Sequence, residues 1–481
     1  MNIEDLTPKG VWTNFKHITQ IPRPTGTKKA IGEFLVEYGR SLGLETIQDE
    51  IGNVLIRKPA TKGMENHPGV ILQGHMDMVP QKNSDVVFDF EKDPIHAYVD
   101  GEWVTADGTT LGADDGIGVA SALAVLADKN AVHPPLEVLI TVDEETGMYG
   151  AFAIEGGWLQ GKTLLNLDSE TEGELYIGCA GGVDANITFQ YFPEEAPEGD
   201  IALKVCLSGL KGGHSGCDIK MQRANANKLM FRFLKDAVAN YEARLASVCG
   251  GSLRNSIPRE AEAIVTIPEE DYDDLIQLVA DYEDLFIREY DGVEDNIHFT
   301  AERVDTPKSV IPEEIQDSLI HSVVACPDGV ARMIPEMPDV VETSNNLALI
   351  ATEDNKVTIQ CLTRSSVESR KEELQEQIES CFALAGAKVE FFGSYPGWKP
   401  NVHSKVLKLM QETYREEFNE EARVITIHAG LECGIIGRNY PGMEMISFGP
   451  TILHPHSPDE RVNIASVDKF YHLILATLRK L

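Results

Sequence analysis

The sequence predicts an α/β fold interrupted by an inserted α+β segment, and three observations carry that prediction. From residue 51 onward, apolar runs alternate with helical patterns, which is how strand–helix–strand units build a parallel sheet. From about residue 186 the pattern changes to strands and helices spaced as in antiparallel sheets backed by helices. After Gly393 the first style returns, which is simplest if both chain ends share one sheet. The expected division is therefore 1–185 with 394–481, and 186–393 inserted between them.

Val70 to Gln73 reads as a short buried strand that runs out in Gly74-His75-Met76-Asp77. Acids favour helix starts, so Asp114-Asp115-Gly116 opens a helix that the Ala/Val/Leu run carries to Ala127. Leu136 to Val142 is the next strand and ends in Asp143-Glu144-Glu145, and Thr163 to Leu167 is a third, ending at Asp168. In the middle segment, strands are expected at Ile201 to Ser208, Glu262 to Ile267, Asn296 to Ala301, Leu347 to Thr352, Val357 to Thr363 and Lys388 to Phe392. Helices are expected over Asp218 to Ala246, Pro268 to Tyr290, Glu313 to Val324 and Ser366 to Leu384. The tail predicts a helix over Ser404 to Phe418, a short strand near Val424 and another over Met445 to Phe448. No internal repeat is visible.

With 481 residues, 42% hydrophobic and 25% charged, the chain can bury two or three ordinary cores. Its net charge of −35 opposes the phosphate backbone and anionic lipid, so neither nucleic acid nor a membrane surface is an expected partner. The eight cysteines form no CxxC pair and read as reduced thiols. The first twenty residues lack the pattern of a secretory signal, and the longest nearly apolar stretch, Val119 to Ala127, falls well short of a membrane span. The expectation is a soluble cytoplasmic protein.

Three successive strands thus end in polar, ligating groups, which is where open α/β sheets place their ligands. Imidazole and carboxylate without thiolate suit zinc or another first-row divalent ion, and a bridging carboxylate lets two ions share one site. Singly, each residue has a plainer reading. His75 could be a hydrogen-bonded structural histidine, the acid pairs helix-start charges and Asp168 a cap. In Pro455-His456-Ser457-Pro458-Asp459-Glu460, His456 has a neighbour in His454, and either or neither could be a ligand. Jointly they are harder to dismiss, because burying several carboxylates without a cation is very costly.

The strings GHMDMV (74–79), LGADDGIG (111–118), DEETG (143–147), LDSETEGELYIGCAGG (167–182), GGHSG (212–216), HAGLECG (428–434) and GPTILHPHSPDERV (449–462) follow one another along nearly the whole chain. Together they resemble the aminoacyl-histidine dipeptidase branch of the di-zinc aminoacylase and carboxypeptidase family. The resemblance implies a catalytic domain with an inserted lid and dimerisation domain, in a homodimer that cleaves small peptides. It implies two divalent ions, zinc with cobalt or manganese as substitutes. Asp114 would bridge them, His75 and Asp168 would complete one site, and Glu145 and His456 the other. Glu144 would be the general base for a metal-bridging hydroxide, and Asp77 would orient His75. The bridging aspartate of this family usually precedes a cis peptide bond, here Asp114-Asp115; some relatives carry Asn at the second position. In the lid, His214 would serve the oxyanion, Arg364 the substrate carboxylate and Asn255 a further substrate contact. Glu432 would select an unblocked amine. The implied activity is hydrolysis of free dipeptides, Xaa-His included; the alternatives are a di-metal acyl-amino-acid deacylase or carboxypeptidase, or a catalytically silent scaffold.

Overall fold

The computed structural model describes residues 2–481. The chain folds as two compact units: one takes the residues up to Gly178 with Pro400–Thr426 and Leu431–Leu481, the other Cys179–Lys399 with Ile427–Gly430. The joints lie further out than the sequence suggests. Gly181–Gln190 and Lys388–Tyr395 pair with each other in the second unit's sheet, and Cys179 bridges to Trp398 just beyond them, so the flanking residues go with that sheet.

The first unit is built on an eight-stranded sheet ordered Glu45–Gln48, Val54–Lys58, Leu136–Thr141, Val70–His75, Thr163–Asn166, Glu444–Ser447, Glu174–Cys179 and Arg423–Ile427. Its four middle strands run parallel, and one of them comes from the C-terminal tail. Val70–His75, Leu136–Thr141 and Thr163–Asn166 are buried along their whole length, as expected of strands covered on both faces. The sheet is not parallel throughout. Glu45–Gln48 and Val54–Lys58 form an antiparallel hairpin, since the few residues between them cannot make the crossover that a parallel pair needs. There Asp49 Oδ1 accepts the amides of Gly52 and Asn53 at 2.8 Å.

The predicted helix at Asp114 is Ala113–Ala127, but Asp114 (ψ 115°) and Asp115 (ψ 32°) lie outside helical geometry, and the peptide bond between them is cis. A small four-stranded sheet pairs Ile452–Leu453 with Arg461–Asn463, and the latter with Trp103–Ala106. It closes the loop that carries His456 and Glu460.

The second unit holds a nine-stranded antiparallel sheet whose main path contains a repeat of topology. Asp200–Ser208, helix Ala226–Asn240, Arg244–Gly250, Ala261–Pro268, helix Tyr272–Glu289 and His298–Val304 form a β-α-β-β-α-β unit with strand order fourth, first, third, second. Gly181–Gln190, helix Glu313–Ala325, Met337–Glu353, Lys356–Ser365, helix Glu368–Leu384 and Lys388–Tyr395 form a second unit of the same order. The first is inserted between the first strand and the first helix of the second. The halves join edge to edge through Cys249 with Ala351 and Gly250 with Ile350. They share one core, in which Phe233, Phe286 and Phe299 pack edge to face.

The helix expected over Asp218 to Ala246 is shorter in the structure. Gln222 takes a left-handed conformation, and the Asn225 side chain accepts the amides of Asn227 and Lys228, which starts the helix at Ala226. Glu242, also left-handed, ends the segment, and Arg244–Gly250 leaves as a strand.

Candidate metal centre

His75 is the last residue of its strand and is fully buried. Its Nδ1 lies 3.1 Å from the Asp77 carbonyl oxygen, and its Nε2 lies 3.1 Å from Asp114 Oδ1 and 3.2 Å from Asp168 Oδ1. If Nδ1 donates to the carbonyl, Nε2 turns a lone pair toward two carboxylates. That arrangement calls for a cation between them. His456 repeats the geometry on the other side: its Nε2 lies 3.1 Å from Asp114 Oδ2 and 3.2 Å from Glu145 Oε2. His75, Asp114 and Asp168 therefore offer ligand atoms within 4.8 Å of one another, as do Asp114, Glu145 and His456, and Asp114 belongs to both groups. A third group joins His75 to Glu144 and Glu145.

The charges within the cluster are unbalanced. Burial pushes Asp168 up to about 7 and Glu144 well above the usual carboxylate range, with His75 only partly opposing each. Burial also works against Asp114, but His456 and His75 outweigh it and hold that carboxyl far below its ordinary value. His456, pulled by Asp114 and Glu145, is raised to about 11. Glu145 Oε1 is buried without a hydrogen-bond partner. An all-oxygen and imidazole donor set with an orphaned carboxylate oxygen suits divalent metal ions.

Asp77 faces the imidazole it is expected to orient and has a second task. Its carboxylate stands 3.6 Å from His75 Nδ1 and also accepts the amides of Glu144 (3.1 Å) and Glu145 (3.3 Å). It ties the turn after one strand to the histidine at the end of another. Asp115 is buried, accepts the His75 amide at 3.2 Å and belongs to none of the three ligand groups.

Two supporting residues escaped the sequence reading. Glu460, 2% exposed, accepts the amides of Leu111, Gly112 and Ala113 at 2.7 to 2.9 Å and that of Asp114 at 3.3 Å. Arg23, equally buried, donates to the carbonyls of Met76 (3.0 Å) and Asp77 (2.9 Å) and to that of Gly112. Gly112 must be glycine here: its φ is 70°, and a Cβ would stand 2.5 Å from the Arg23 guanidinium. Glu460 lies inside the quoted PHSPDE string, a signal available in principle; Arg23 gave none.

Glu432 lies beside the cluster. Its Oε2 accepts from Gln73 Nε2 at 2.5 Å and Thr141 Oγ1 at 2.7 Å, while its Oε1 is buried with no partner. Burial pushes its pKa up to about 8 against the pull of His75.

The remaining predicted residues belong to the second unit. His214 Nδ1 accepts the amides of Gly216 (3.1 Å) and Cys217 (3.0 Å), which places the proton of the neutral ring on Nε2. Burial, then the charge of Arg364, lowers its pKa. Arg364 is buried, and its Nη1 donates to Tyr395 Oη at 3.2 Å. Asn255 is exposed, and its carbonyl accepts the amide of Ser215 beside His214. His428, which the sequence reading left without a role, joins this group: it is buried, 2.7 Å from Ser344 Oγ, and burial, Arg364 and His214 press its pKa down to about 3.

A buried imidazole and carboxylate cluster at the carboxyl ends of parallel strands, with one aspartate common to two ligand groups, defines the class of metal-dependent hydrolases. The chain belongs to peptidase family M20/M25/M40, whose family model matches residues 71–480. It is 47% identical over 479 residues to the cytosol non-specific dipeptidase of Escherichia coli, covering 100% of this chain and 99% of the relative. The crystal structure of aminoacylhistidine dipeptidase from Vibrio alginolyticus matches with a TM-score of 0.96 and 48% identity, covering 100% of this chain and 98% of that one. Aminopeptidase PepT from Bacillus cereus, at 16% identity, shares the fold, with a TM-score of 0.59 and 99% of each chain covered. Among the described residues no helix is long and apolar enough to cross a membrane.

Proposed function

We propose that this chain hydrolyses unblocked dipeptides, Xaa-His among them, at a centre of two divalent metal ions. Dipeptidase activity follows from the family and from likeness to dipeptidases over nearly the full length of both chains. The observation that carries the metal reading is the sharing of Asp114 between the His75–Asp168 and Glu145–His456 groups. These five residues would hold the ions. Zinc suits the ligand set, with cobalt or manganese as substitutes, and when bound would acidify a water and polarise the scissile carbonyl.

The chain's own residues then have separable tasks. Glu144 takes the proton of the attacking water and returns it to the leaving amine. Asp77 holds the turn bearing Glu144 and Glu145 beside His75. His214, neutral and protonated on Nε2, donates to the oxyanion; Arg364 grips the substrate carboxylate, and Asn255 adds a polar contact. Glu432 accepts from the free amine, which argues against the deacylase and carboxypeptidase readings. The cytoplasm is the proposed location, from the name of the Escherichia coli relative, and a homodimer the proposed assembly; a monomer mass by light scattering would overturn the latter.

The deciding experiment is amine release by zinc-loaded protein from a free Xaa-His dipeptide and from its N-acetylated form, each with and without chelator. Chelator-sensitive cleavage of the free dipeptide alone is expected. Preference for the acetylated compound would move the protein to the deacylases, and silence on both would leave a scaffold.

A further inference from the structure

The string Gly178-Cys179-Ala180-Gly181-Gly182 has no part in the metal centre, yet its last residue occupies an informative place. In the second unit's sheet Gly182 pairs with Arg364 on one side and with Tyr395 on the other. A Cβ on Gly182 would fall 2.6 Å from Tyr395 Oη and 2.7 Å from its ring carbons, so the tyrosine lies across the glycine. That crossing brings Oη to Arg364, whose Nη1 donates to it at 3.2 Å. The tyrosine is itself fixed. Lys371, 1% exposed, donates to the Tyr395 carbonyl at 2.6 Å and pairs with Glu368 at 2.9 Å.

Arg364 is left with an unmet requirement: its Nε is buried without a hydrogen-bond partner. A buried N–H of a charged group left so calls for an acceptor, and beside a substrate site a ligand can supply it. A carboxylate meets a guanidinium side-on, through two N–H groups along one edge. With Nη1 committed to the tyrosine, the edge that includes Nε is the one held ready.

We propose that Tyr395 is a positioning residue that, across the row left clear by Gly182, sets the Nε edge of Arg364 to receive the C-terminal carboxylate of the substrate. This rests on the reading of Arg364 as the carboxylate-binding residue. The test compares KM and kcat of the zinc-loaded enzyme for a free dipeptide and for its C-terminal amide, in the wild type and in Arg364→Ala, Tyr395→Phe and Gly182→Ala. Arg364→Ala should erase the preference for the free acid. Tyr395→Phe keeps the ring and loses only the hydroxyl, and should raise KM for the free dipeptide about tenfold, with kcat changing far less, as befits one hydrogen bond to a charged group. Gly182→Ala, which displaces the ring, should reproduce that shift. If Arg364→Ala loses the preference while Tyr395→Phe keeps wild-type KM and preference, Tyr395 does not position it. If Arg364→Ala itself keeps the preference, the reading of Arg364 falls and this proposal falls with it.

Discussion

Glu460 accepts the backbone amide of Asp114 at 3.3 Å across 346 positions of sequence. The same carboxylate takes the three preceding amides, so the loop that delivers the shared aspartate hangs on one buried side chain. Its negative charge answers a row of N–H dipoles, in the manner of an anion at a helix start. Glu460→Gln leaves a single carbonyl acceptor and turns an amide N–H₂ toward other donors. The expected outcome is a metal affinity about tenfold to a hundredfold weaker, as for other residues that orient ligands, read by competition with a chromophoric chelator. Unaltered affinity would mean that the loop holds Asp114 without it.

Glu144 and Asp114 should separate in a metal assay. Glu144→Gln is expected to retain both ions and to lose activity by about a hundredfold to ten-thousandfold, the usual worth of a general base. Asp114→Asn is expected to lose metal as well, because both ligand groups share that carboxylate. Metal content by mass spectrometry beside kcat decides it. Equal metal loss in the two variants would make Glu144 a ligand, as its place in the group with His75 and Glu145 permits.

Residues at strand ends were the legible ones. His75, Asp114, Glu145 and Asp168 each follow a pattern of local sequence that says where a strand stops or a helix begins, and the parallel sheet gathers such ends at one edge. His456 needed the resemblance to be told from His454, because nothing local distinguishes two loop histidines. Arg23 and Glu460 act on backbone groups, and backbone partners leave no mark in side-chain type or spacing. The second task of Asp77, holding the amides of Glu144 and Glu145, depends on the turn there, which periodicity cannot supply. The doubled β-α-β-β-α-β topology was invisible for another reason. One copy interrupts the other, and burial can be met by unrelated apolar side chains so long as the strand order repeats.

His428 makes stability depend on pH in a defined direction. Its folded pKa is pressed to about 3 from an ordinary 6.5, by burial and then by Arg364 and His214. Between those values the unfolded chain binds the proton and the folded chain does not, so this contribution is present above about pH 6.5 and is lost as the pH falls. One such group gives a slope of at most about 1.4 kcal/mol per pH unit. Denaturant unfolding at pH 7, 5.5 and 4.5 should show the wild type losing stability faster than His428→Gln, which can still bond Ser344. Parallel curves for the two proteins would show that the histidine is protonated in the folded state.

The proposed selection of an unblocked amine turns on Glu432. Fully buried, it has given one oxygen to Gln73 and Thr141 and kept Oε1 without a partner, so it can accept from a cationic amine and gains nothing from a blocked one. Gln is nearly isosteric and could keep the Thr141 contact, but its amide cannot become an anion when a cationic amine arrives. Glu432→Gln should therefore lower kcat/KM for a free dipeptide about tenfold or more, the scale of a hydrogen bond to a charged group, while the low activity on its N-acetylated form changes far less. The measured quantity is the ratio of the two kcat/KM values, in which losses of folded protein or of metal cancel. A ratio that stays at its wild-type value would remove Glu432 from recognition of the amine and leave its buried carboxyl with a structural role beside Thr141.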